Sequence, residues 1–325
     1  MKSLKLSIST FLKISGLIVV LGFILRIVLL FNPSTVVNYS FIEWIQIFLF
    51  GTFNDIFFAV LSFSFLYVFL LLFSEVKYKK PWSYVIYALL AITYIVLQFF
   101  NTPLREFNSS LTRIICYLLL YRIMSYTLRL FLPVVRDYWR QYTYYIVFFV
   151  YVLFIVFNAI AEYFFWSEFG LRYNFIAVDY LVYTNEVIGN FFESYPMIPL
   201  ISVVVLLSGG ISFGLLRNTR KDNFNIIPSL RDKLTATFAY IILAAASFGL
   251  LFLNFSFQHG DNSYVNELQA NGCVKFCQAF FSNKLSYKDF YNKISDSEAI
   301  NIINSQYYRG KDNVQHIHSD QSEIH

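Results

Sequence analysis

The side chains best suited to chemistry fall in three places. Between residues 163 and 197, Glu168, Arg172, Asn174, Asp179 and Glu186 are interleaved with aromatic and aliphatic residues. Arg172 carries a planar guanidinium that can hold two phosphate oxygens at once. Carboxylates beside it could orient it or a polar acceptor. These five form a candidate set for docking a lipid headgroup or a domain outside the membrane, facing one cleft above the helices. In the apolar run 112–132, Arg122, Ser125, Tyr126 and Arg129 share one helix face. An arginine at mid-bilayer costs ~2.5–3.5 kcal/mol, so Arg122 and Arg129 must turn toward other helices or a polar cavity, snorkel, or pair with a carboxylate or carbonyl. The third place is the tail. Cys273 and Cys277 stand i, i+4, and with His259 they are too sparse a set for zinc. His316 and His318 make a lone His-x-His. Neither a catalytic residue nor a metal ligand is assigned, and no Gly-rich phosphate loop, nucleic-acid-binding stripe or internal repeat stands out.

The elements that must carry these residues are membrane helices. Only 14% of the 325 residues are charged and 57% are hydrophobic, against ~25% charged in a soluble domain. Seven apolar runs, near 11–31, 53–73, 83–100, 112–132, 142–162, 198–216 and 235–255, match the ~20 residues a helix needs to cross the hydrocarbon. The fold class is therefore all-α: a polytopic membrane bundle of about seven spans over 1–255, then a short helical linker over 256–325. The Lys and Arg residues orient it. With the N-terminus inside, twelve lie in inner segments and two, Arg105 and Arg172, in outer loops. That predicts an N-in, C-out chain with the tail outside.

The outer loop should lie on the membrane surface. Ile176, Tyr180, Leu181, Thr184, Val187 and Ile188 recur at helical spacing, with Asp179 and Glu186 on another face. This predicts an amphipathic interfacial helix over about 175–188. In the tail, Val265, Leu268, Gly272, Phe276 and Phe280 predict one helix. Ser295 and Glu298 predict a capping box before Ala299 and Ile300.

The stretch Ala161-Glu-Tyr-Phe-Phe-Trp-Ser-Glu-Phe-Gly-Leu-Arg-Tyr-Asn through Asn190, with Glu193-Ser-Tyr-Pro, resembles the extracytoplasmic loop of lipoteichoic acid synthase-like membrane phosphoglycerol transferases. That family belongs to the sulfatase and alkaline phosphatase superfamily. Asn262-Ser-Tyr-Val-Asn-Glu-Leu-Gln-Ala-Asn-Gly, running on to Leu285–Tyr291, is similar to the segment joining the last span to the catalytic head there. Asn54-Asp55 also fits.

The resemblance implies a multi-pass protein of the bacterial cytoplasmic membrane. Its full-length relatives carry an extracytoplasmic head, in which a divalent metal (manganese, magnesium or zinc) activates a Thr or Ser nucleophile toward a lipid headgroup. No cofactor is expected in this chain itself, because the head's nucleophile and metal ligands are not in it. The expected function is thus the anchor and headgroup-docking portion of such a transferase, truncated before the head and inactive alone. Its expected partners are membrane lipids, including anionic phospholipid headgroups, and the head; nucleic acid is not among them. Two other classes stay open. One is a stand-alone membrane interaction protein. The other is a transporter using Arg122, Arg129 and Glu162 as polar groups in the bundle.

Overall fold

A computed structural model describes residues 4–33, 38–72, 76–100, 102, 105, 109–219, 224, 229–255, 258, 262–282 and 295–307. The described residues contain helices and no strand. Helices α1 (Lys5–Leu30), α2 (Phe41–Ser62), α3 (Ser64–Leu71), α4 (Trp82–Phe99), α5 (Ser109–Phe131), α6 (Pro133–Phe169), α7 (Phe175–Val182), α8 (Thr184–Ser194), α9 (Met197–Leu216) and α10 (Leu230–Phe255) are followed by α11 (Ser263–Gln269), α12 (Gly272–Ser282) and α13 (Asp296–Tyr307). Seven helical stretches among the described residues are long and apolar enough to cross a membrane, with α2 and α3 counting as one rod from Phe41 to Leu71. The fold is an all-α polytopic membrane bundle.

Local chemistry sets the ends of the two long rods. Ser40 and Glu43 cap α2 reciprocally: the Ser40 hydroxyl accepts from the Glu43 N–H at 3.3 Å, and the Glu43 carboxylate accepts from the Ser40 N–H at 2.7 Å. Pro133 opens α6, where its missing N–H costs nothing. Gly170 closes α6 in the left-handed region at φ 67, and its N–H bonds to the Trp166 carbonyl at 2.7 Å. The Phe41–Leu71 rod has 31 residues and α6 has 37. At 1.5 Å per residue both exceed the ~30 Å hydrocarbon core, so each overshoots it.

The apolar core lies between α1, α2–α3 and α6. Ile14, Ile18, Phe63, Leu66, Tyr144, Phe148 and Val152 fill one part. Leu25, Leu29, Ile47 and Trp166 fill a second, together with Val265 and Leu268 from the tail. Around this centre α10 packs on α2, and α9 on α6. Helix α4 packs on α5.

The chain forms two compact units, Met1–Cys277 and Gln278–His325. The first extends past the composition break at residue 255, because α11 returns and lies along α2. The Asn262 amide donates to the Glu43 carboxylate at 3.0 Å, and the Asn54 amide donates to the Gln269 carbonyl at 2.7 Å. The segment thus tracks α2 from Glu43 to Asn54, about 16 Å of helix. In the second unit, the Ser295 hydroxyl accepts from the Glu298 N–H at 3.3 Å, one half of the expected capping box.

Two helix expectations need correction. The single outer-loop helix is two, α7 and α8, divided at Tyr183, whose φ −99 and ψ 41 leave the helical region. The single tail helix is also two. Ala270 is extended (ψ 165), and the Asn271 carbonyl oxygen of the side chain accepts from the Val274 N–H at 3.3 Å, starting α12 afresh. Periodicity runs through both breaks, since the apolar spacing is shared by the helices on either side.

Candidate functional site: a buried ionic junction

Arg26 projects from the last turns of α1 and Asp55 from the middle of the α2–α3 rod. Their side chains meet at 3.0 Å and are almost wholly buried. Glycines make the room. A Cβ at Gly22 would overlap the Asp55 carboxylate, and one at Gly51 would overlap the Arg26 guanidinium. Small residues on facing helices are what admit a charged pair between close backbones.

A second pair lies beside the first. Glu162 on α6 and Arg172, just after the α6 cap, form a buried salt bridge. Gly272, at the start of α12, leaves the space that the Glu162 carboxylate occupies. The third pair is Lys275 and Glu267 at 2.7 Å, both from the tail and partly covered. Three cations therefore face three carboxylates, and the junction is neutral.

The pairs converge on the last turn of α11. Of the three successive carbonyls there, that of Glu267 accepts the Ala270 N–H at 3.2 Å, and those of Leu268 and Gln269 lie past the helix's own ladder. Each is met by a side chain from elsewhere. The Arg172 Nε donates to the Glu267 carbonyl at 2.8 Å, the Arg26 Nε to the Leu268 carbonyl at 2.8 Å, and Asn54 to the Gln269 carbonyl at 2.7 Å. Two of the three donors are cations at the negative end of a helix, where positive charge is favoured. The Arg172 N–H also donates to the Glu267 carboxylate at 3.1 Å. The Asn271 amide donates to Asp55 at 2.8 Å, completing that carboxylate's contacts.

This arrangement binds and holds. Its acids and bases are mutually neutralised, and its nearest nucleophile is quiet. Burial, and then the negative Glu162, push the Cys273 thiol well up, so it carries little thiolate at neutral pH. Burial likewise raises the Tyr173 phenol, whose hydroxyl donates to the Asn158 carbonyl at 3.3 Å. Among the described residues, no group of three or more His, Cys, Asp or Glu side chains could hold a metal ion.

The predicted docking residues separate. Arg172 is only 3% exposed, and its guanidinium is committed to Glu162 and Glu267. Asn174 caps α7 by accepting from the Ile176 N–H at 2.9 Å. Glu168 is exposed on the last turn of α6, and Asp179 is half-buried on α7. No hydrogen bond joins these three to Arg172. The Glu186 side chain, His259, His316, His318 and the 285–291 block lie outside the described residues. Of the two intramembrane arginines, Arg129 is buried, donates from Nε to the Ser125 carbonyl at 2.8 Å, and stacks on the Trp139 ring at 5.0 Å. Arg122 is exposed.

Sequence reasoning missed Arg26, Glu267, Gln269, Asn271 and Lys275. Arg26 did carry a signal: it is the one charge in the apolar run 14–31, and an intramembrane charge needs a partner. The others sit in ordinary polar sequence and gave none.

Comparison with known proteins finds no matching family model, no match among curated proteins and no match among solved structures.

Proposed function

We propose that this chain is the membrane portion of a lipoteichoic acid synthase-like phosphoglycerol transferase, or of a transferase of a related headgroup. On this reading it sits in the bacterial cytoplasmic membrane with its N-terminus inside and its tail outside. It anchors the enzyme, docks anionic phospholipid headgroups, and presents the segment that leads to a catalytic head. Alone it is inactive, since the nucleophile and the divalent metal belong to the head.

One observation carries the reading. The three stretches that resemble the family are far apart in sequence, around Asn54-Asp55, 161–196 and 262–272, yet all contribute to one buried junction through Asp55, Glu162, Arg172, Glu267 and Asn271. A transferase whose head must meet a lipid at the membrane surface needs its joining segment held at a set height. Arg172 serves here as the clamp on that segment.

Two measurements test it. Purified in nanodiscs of mixed phosphatidylglycerol and phosphatidylcholine, the chain should retain phosphatidylglycerol selectively by native mass spectrometry. Equal retention of both lipids would overturn headgroup docking. Incubated with Mn²⁺ and labelled phosphatidylglycerol, the chain alone should release no glycerophosphate; metal-dependent release would refute its inactivity.

A further inference from the structure

Helices α4 and α5 stand as a hairpin at the side of the bundle. Helix α4 packs on α5 and on the short turn Val76–Tyr78, and α5 packs on α4 and α6. Toward its end, α5 is well covered: Ser125, Tyr126 and Arg129 are buried. One turn earlier on the same face the cover stops. Ile114, Leu118 and Tyr121 are 56%, 61% and 59% exposed, and Arg122 is exposed among them.

The position of Arg122 is the difficulty. It lies thirteen residues after Ser109 and nine before Phe131 in this span, about 20 and 14 Å from the two ends. Side chains on a helix lean toward its start, which here is the more distant end, so snorkelling is poorly served. Among the described residues no salt bridge pairs a carboxylate with Arg122, and another cation, Arg129, lies seven residues on along the same face. A bare guanidinium at that depth is costly, and such residues face a protein partner or water.

We propose that this uncovered stretch of α5 docks a membrane-spanning helix of a different protein, one carrying an Asp or Glu near its middle. Charge complementarity selects the occupant. Among the described residues a second copy offers no open carboxylate at mid-span: α4 and α5 contain no Asp or Glu, and Asp55 and Glu162 are already buried in pairs. Two copies meeting across this face would set Arg122 against Arg122. Lipid phosphates lie beyond the apolar region, at the ends of the span. A carboxylate at the middle of a ~20-residue apolar helix is the group that reaches Arg122, and the attraction between the two offsets part of the desolvation cost of each. The proposal is independent of the headgroup reading, which concerns the junction built by α1, α2, α6 and the tail.

Synthetic Leu/Ala spanning peptides with a central Asp, Leu or Lys test it. Energy transfer from each peptide to the full chain, labelled at its N-terminus in phosphatidylcholine vesicles, reads the affinity. The Asp peptide should bind about tenfold tighter than the Leu peptide, the scale of a good interhelical polar contact, and the Lys peptide should bind no better than Leu. Arg122→Leu should abolish the preference while leaving the thermal midpoint unchanged, and Arg122→Lys should keep most of it. Equal binding of Asp and Leu peptides to the wild type, or a preference that survives Arg122→Leu, would overturn the proposal. So would loss of the preference in phosphatidylglycerol vesicles, which would assign Arg122 to lipid headgroups. Self-association of the wild type that Arg122→Leu abolishes would overturn it in favour of a second copy.

Discussion

Arg26 and Asp55 show how one residue pair controls a close helix contact. Each charge is buried, so its stability rests on the other remaining in place. Removing one partner of a buried pair strands the other, typically at ~3–5 kcal/mol. Asp55→Ala should therefore lower the thermal midpoint of the detergent-solubilised chain strongly. The double variant Arg26→Met/Asp55→Leu should lose clearly less than the two single losses added together, because it leaves no stranded charge. Additive losses would mean the two side chains do not depend on each other. The thiols test the same region by pH. The Cys273 thiol is pushed up by burial and by Glu162, so its thiolate forms only at alkaline pH. Maleimide labelling of Cys273 in a Cys116→Ala/Cys277→Ala background should be slow at neutral pH and rise steeply as pH increases. Fast labelling at pH 7 would contradict a half-buried position beside that carboxylate.

At the scale of elements, the informative segment is α11 with the start of α12. By composition it reads as an exposed linker, but its last carbonyls are held by α1, α2 and the turn after α6. A helix of seven residues is too short to persist in water by propensity. Its stability must come from Val265 and Leu268 in the core and from those three donors. Cysteines at positions 43 and 262, where Glu43 and Asn262 bond at 3.0 Å, should join rapidly through a short methanethiosulfonate cross-linker. A cross-link that does not form in the folded protein would mean the tail does not run along α2. Gly272→Ala tests the same element by shape, since the added methyl must displace the Glu162 carboxylate. It should destabilise the chain, whereas Gly209→Ala, where a Cβ has open space, should have little effect.

For the whole molecule, the prediction concerns sidedness. Twelve basic residues in the inner segments against two in the outer loops between spans predict residue 1 inside and the tail outside by the positive-inside rule. An impermeant thiol reagent applied to intact cells should label a cysteine introduced at Asn262 and spare one at Lys79. Labelling at Lys79 with none at Asn262 would reverse the topology.

What the sequence by itself determined is the membrane character and the spans. Hydrophobic run length is a local property, and the bilayer forces every backbone polar group within such a run to bond internally, so 17–25 is legible as part of a helix with no knowledge of its neighbours. One half of the Ser295–Glu298 capping box was legible for the same reason, being a matter of three residues' separation. The junction was not legible. Arg26 and Leu268 are 242 positions apart, and nothing local distinguishes a carbonyl that will accept from an arginine from one that will face water. The same limit explains Arg172. Its residue type suggested an open phosphate contact, and the tertiary structure decided instead that it is enclosed between Glu162 and Glu267. It also decided which intramembrane arginine is covered, Arg129, and which is left bare, Arg122, since both lie on one helix face and only the packing of neighbouring elements tells them apart.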